Sequence, residues 1–168
     1  MNKLLPLTAL MLALALPSQA HVRDCDVVGR QQTWPALYAD GFVTTEPAHD
    51  QEGEPLQLLL VRQAWSCQPR VVDRYSWEGA PPRVETAFTQ ARRGVPYLFV
   101  VVRWDINHRS AGTYGRFYRV HAYREDGHGS LVRDEALMRR DGMTGLDGMS
   151  DGSPSHFDAT PDVIRERL

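Results

Sequence analysis

Residues 96–104, Pro96-Tyr97-Leu98-Phe99-Val100-Val101-Val102-Arg103-Trp104, decide the fold. Nine residues are short for an ordinary helix, and consecutive aromatic and β-branched side chains suit a pleated surface, so the stretch predicts a central β-strand. Beyond a polar turn at 107–112, residues 116–123 alternate cleanly. Tyr118, Val120 and Ala122 share one face, and Phe117, Arg119, His121 and Tyr123 share the other, which is expected to be the exposed one. A second turn at 125–129 leads to a short apolar segment, Leu131-Val132.

Working outward, 56–65 carries a dense apolar run at Leu58-Leu59-Leu60-Val61, and 70–77 alternates with Tyr75 and Trp77 on one side. Residues 66–69 read as the hairpin connection between them. Residues 84–91 are ambiguous between a strand and a helical turn, 31–38 (QQTWPALY) predict a helical turn, and 48–55 (AHDQEGEP) a loop. At the end, Thr160, Pro161 and Asp162 supply helix-start signals and Arg165 and Arg167 suit the other end. Strand–turn–strand spacing without long crossover helices predicts an α+β chain, mainly β: an antiparallel sheet with short peripheral helices including a C-terminal helix.

The 168 residues, 42% hydrophobic and 24% charged, fit one small globular domain. Residues 1–20 place Lys3 before an apolar run that ends at Pro17 and Ser18-Gln19-Ala20, the pattern of a cleavable signal peptide. The run is too short for a membrane anchor. Lys3 is the sole lysine, so the remainder, 21–168, carries 18 Arg against 21 acidic residues, a formal charge of -3. Such a charge gives no basic field for nucleic acid, although Arg103, Arg116, Arg119 and Arg124 interleave with aromatic residues. Export to the periplasm is the expectation. In that oxidising compartment Cys25 and Cys67, the two cysteines of the chain, are expected to form a disulfide.

Chemical motifs fail on context. Gly148-Met149-Ser150-Asp151-Gly152 matches the pattern of a nucleophile elbow, with His156 nearby, yet 144–147 read as turn-rich where a buried strand is needed. Asp147, Asp151 and Asp158 have a calcium-loop texture, but Met149 stands at a ligand position and Asp158 replaces the customary Glu. The six histidines show no zinc spacing. No catalytic, cofactor or metal residue is therefore assigned, and the chain reads as a binding protein.

The order of features from the expected leader to Cys25, strand-rich middle, Gly145-Leu146-Asp147-Gly148, Phe157 and Ile164-Arg165-Glu166-Arg167-Leu168 resembles the small periplasmic immunity proteins that neutralise secreted bacterial effectors. The resemblance implies stoichiometric occlusion of an effector enzyme, a cell-wall or lipid hydrolase, with no turnover by this chain. An envelope accessory or structural role is the alternative. Candidate partner contacts are Asp105, His108 and Arg109 from the turn after the central strand, Arg119, His121 and Tyr123 from the alternating strand, and Asp147 and Asp151 from the acidic loop.

Overall fold

A computed structural model describes Cys25, residues 32–49 and residues 53–168. The expected leader, 1–20, lies outside the described residues. Among the described residues, ten strands form two antiparallel sheets. The first is a meander of β1 (Thr33–Pro35), β2 (Gly41–Pro47), β3 (Leu56–Arg62) and β4 (Arg70–Tyr75), neighbours in that order. The second contains β5 (Arg83–Arg92), β6 (Val95–His108), β7 (Thr113–Glu125), β9 (Thr144–Ser150) and β10 (Ser153–Ser155) in the order β10-β9-β7-β6-β5. The short β8 (Leu131–Arg133) also pairs with β7. The described residues also form two α-helices, α1 (Glu135–Met138) and α2 (Pro161–Arg167). No helix among the described residues is long and apolar enough to cross a membrane.

Strand β6 is buried continuously from Tyr97 to Val102 because both of its faces are covered. Leu98, Val100, Val102 and Trp104 pack with Val43, Leu58, Leu60 and Tyr75 of the first sheet. Phe99 and Val101, on the opposite face, pack with Leu137 of α1, Ile164 of α2 and Phe157. Three layers explain why this strand lacks the alternation of a half-exposed one. Deletion of buried methyl groups here carries the usual transfer and cavity costs, about 2 kcal/mol for Val100→Ala and about 2–5 kcal/mol for Leu98→Ala.

Several local expectations are corrected. Residues 33–35 form an edge strand against β2 instead of a helical turn, with Trp34 buried in the core. An edge strand tolerates Pro35, which has no N–H to give a further neighbour. The ambiguous 84–91 segment lies within strand β5. Tyr75 is buried, but β4 ends there and Trp77 is 55% exposed, so the two do not share a packed face. The connection at 66–69 does join antiparallel strands, passing through left-handed Ser66 and Cys67.

The turn-rich reading of 144–147 is also overturned: these residues belong to β9. Glycines dilute its β pattern, and two of them are required by space. A Cβ on Gly145 would lie 2.2 Å from the Phe157 ring, and one on Gly148, at φ +154°, would lie 2.3 Å from the Tyr114 carbonyl oxygen. In α2, Pro161 opens the helix and Ile164 docks it, while the Thr160 side chain makes no capping hydrogen bond.

Candidate functional site

The structure separates the sequence-derived candidates into two groups. Asp105, His108, Arg109, Asp147 and Asp151 lie on an arm formed by the far end of the β6–β7 hairpin and the β9–β10 hairpin. None of residues 105–117 or 144–156 is buried. Asp151 and Gly152 have φ of 50° and 77°, the left-handed pair that a tight two-residue hairpin turn requires. The Gly152 amide donates to Gly112 O at 3.1 Å, and the Asp151 amide to Thr113 Oγ1 at 3.4 Å. Both hairpin tips are thereby latched together.

Across the arm, Arg116 stands in register between Asp105 and Asp147. Arg103 bridges Asp105 at 3.3 Å and Glu85 at 2.8 Å, and Arg109 lies over the Tyr114 ring at 4.5 Å. At the arm's root a cleft of about 400 Å³ is lined by Glu85, Tyr118, Asp147, His156 and Phe157. His156 Nδ1 is 2.9 Å from Asp147 Oδ1, an arrangement able to orient an imidazole, but the His156 side chain is 83% exposed. Ser150 sits at the end of β9 in a hairpin, without the strand-to-helix elbow that exposes a nucleophile. Asp158 accepts from the Thr160 amide, away from a shared ligand set with Asp147. Among the described residues no group of three His, Cys, Asp or Glu side chains could hold a metal ion.

Gly115 and Gly148 face one another where β7 meets β9, both at positive φ and each with its Cβ position blocked by opposing backbone. Gly148→Ala is expected to cost about 1–3 kcal/mol locally and to loosen the arm. Hydrogen exchange should show faster exchange of amides in 144–150 with those of β6 residues 97–102 unchanged; equal protection throughout would refute this coupling.

Arg119, His121 and Tyr123 form the second group, on the β7 face turned toward the first sheet. The exposed-face expectation is corrected here: Tyr123 is fully buried, His121 is 5% exposed and Arg119 is half-buried. A register shift between β3 and β4 sets Asp73 opposite Leu58, with Asp73 and Tyr75 both buried. Asp73 Oδ2 accepts from Tyr123 Oη at 2.5 Å and Arg133 Nε at 2.7 Å. Its Oδ1 accepts from Arg133 Nη2 and from the Arg74 amide. The Tyr123 hydroxyl hydrogen is committed to Asp73, so Tyr75 Oη is the donor to Tyr123 Oη at 3.0 Å. Burial pushes both tyrosine hydroxyls far above their ordinary range.

These bonds occupy the Asp73 carboxylate. His121 Nδ1 stays 3.8 Å from Oδ2, and neither buried ring nitrogen has a hydrogen-bond partner. Burial pushes the imidazole down to about 4; Asp73 opposes that shift, while Arg133 and Arg119 add to it. The folded protein therefore binds fewer protons at His121 than the unfolded chain does. Its contribution is complete above the unfolded value near 6.5 and is lost as pH falls toward about 4, a loss of about 3 kcal/mol. Urea unfolding at pH 7 and pH 4 should show this loss reduced in His121→Phe relative to the parent; an identical pH dependence would refute the assignment.

Beside this cluster the outer edge of β7 is split. Strand β9 pairs with 114–119 and β8 with 123–125, while the Val120 amide donates to Met143 O and Ala122 O accepts from the Asp134 amide. Residues 134–143 arc out between these contacts. They help enclose a recess of about 510 Å³ whose lining includes Arg119, His121, Arg133, Arg139 and Arg140.

The sequence reading missed Asp73, Tyr75, Arg133 and the 139–140 arginine pair. The available signal was the Asp73/Tyr75 spacing, two residues apart in a strand, which places a carboxylate on the same face as a large aromatic. Comparison with known proteins finds no matching family model, curated protein or solved structure.

Proposed function

We propose that the protein is a periplasmic immunity or inhibitor protein that binds a secreted effector enzyme and occludes it with the arm. The carrying observation is the unburied arm, 105–117 with 144–156, held in one shape by the hydrogen bonds between its tips. A surface fixed before binding loses less conformational freedom on association. Arg109 on Tyr114 and the Asp105–Arg116–Asp147 row supply aromatic contact and alternating charge, suited to a polar protein surface. The Cys25–Cys67 disulfide suits an exported protein. The partner in this reading is a cell-wall or lipid hydrolase, and the chain acts stoichiometrically.

Mature, oxidised protein used as bait should retain such a hydrolase at about 0.15 M and about 0.5 M salt and abolish its activity at equimolar ratio. Arg109→Ala combined with Tyr114→Ala should weaken inhibition about 10- to 100-fold, the scale of losing one interface hot spot. Recovery of envelope scaffold components alone would favour the accessory role, and inhibition unaffected by the arm variant would overturn the arm as the contact.

A further inference from the structure

The recess beside β7 is separate from the arm. Its lining contains four guanidinium groups, from Arg119, Arg133, Arg139 and Arg140, against two carboxylates, Glu135 and Asp141. Two of the arginines are fixed from behind: Arg133 by Asp73, and Arg119 by Glu78 at 3.4 Å. Arg133 is also 3.8 Å from Glu135. Arg139 has no carboxylate partner among the described residues, and Arg140 donates through Nη1 to Leu168 O at 3.2 Å, which leaves its other donors uncommitted. The wall thus combines two anchored guanidinium groups with two that retain donors.

We infer that this recess binds an oxyanion of the phosphate or carboxylate class, with Arg139 and Arg140 closing on it from the 134–143 arc and Arg119 and Arg133 forming the inner wall. The chemistry follows from the guanidinium fork, whose paired N–H donors match two oxygens of one anion better than an ammonium does. With Asp73 and Glu78 already engaged, the counter-charges behind the wall do not supply acceptors for all of these donors. Volume is ample for a phosphate or a small dicarboxylate.

His121 makes the inference testable from inside the recess. The charged and titratable groups around its ring are Asp73 and Tyr75 of β4, Arg119 and Tyr123 of β7, and Arg133 of β8. Across the recess, the arc adds Glu135, Arg139, Arg140 and Asp141. An anion seated among these groups favours the imidazolium, so binding should raise the imidazole's titration midpoint, whereas anions collecting on exposed arginines outside should leave it unmoved.

The full disulfide-bonded chain, with its histidines isotopically labelled, would be titrated with inorganic phosphate and separately with succinate, sodium chloride holding ionic strength constant. Saturable displacement of the His121 signal and an upward shift of its midpoint are expected with at least one probe; the stronger probe identifies the anion class. Arg139→Gln, at an exposed position, should keep the fold and weaken binding at least about threefold, one charged contact's worth. His121→Phe supplies the control that removes the reporter signal. A His121 signal indifferent to both probes, a displacement matched by chloride, or binding unchanged in Arg139→Gln would overturn the inference.

Discussion

Asp73→Leu is expected to destabilise the protein by about 3 to 5 kcal/mol, the range for removing one partner from a buried charged pair. The carboxylate is 5% exposed and is shared by Arg133, Tyr123 and the Arg74 amide. Losing it affects these donors differently. Arg133 has a side chain 43% exposed and can turn toward water, which moderates the cost. Tyr123 cannot: it is fully buried, and its remaining hydroxyl partner is Tyr75, itself 2% exposed. Removing the hydroxyl in the same molecule should therefore recover part of the loss, so Asp73→Leu with Tyr123→Phe should cost less than the sum of the single changes. Urea midpoints of the parent, both single variants and the double variant would measure this. Strict additivity, or a loss below about 1 kcal/mol for Asp73→Leu, would mean that the cluster does not act as a buried network. The same replacement removes the anion that favours ionised His121, so the His121 midpoint should fall further.

That network marks the limit of what the sequence made legible. Local signals sufficed for 96–104 and 116–123, since β-branched density and period-two alternation act within each strand. They could not show which face of β7 a second sheet would cover. Arg119, His121 and Tyr123 looked solvent-facing because polar side chains alternate with Tyr118, Val120 and Ala122, yet the first sheet supplies Asp73 and Tyr75 to meet them. The pairing spans 50 residues between Asp73 and Tyr123, beyond any local period. The arm was partly legible: Asp151-Gly152 carries the chemistry of a tight turn, whereas the strand before it was obscured by Gly145 and Gly148. Those glycines reflect close approaches to Phe157 and Tyr114, contacts that exist only after the chain folds.

Opening the Cys25–Cys67 bridge should lower stability by about 4 kcal/mol. The joined residues are 42 apart in sequence, and cross-linking a loop of that size restricts the unfolded chain by about this amount in the loop-entropy account. The closed loop contains β1, β2 and β3, so the restriction falls on most of the first sheet. Its effect should nevertheless reach both sheets. Val43, Leu58 and Leu60 share one core with Leu98, Val100 and Val102, and unfolding the first sheet would expose the face of β6 that it covers. Guanidinium unfolding of oxidised protein, reduced protein and Cys25→Ser/Cys67→Ser should give one transition in each case, with both thiol-free or reduced forms shifted to lower denaturant. Loss confined to residues 33–75 by hydrogen exchange, with β6 and β7 protection retained, would instead reveal a first sheet that opens independently. For a domain of ordinary stability, about 5 to 15 kcal/mol, a global loss of this size makes oxidation a substantial condition for persistence. Under the proposed function, export to an oxidising compartment would meet that condition.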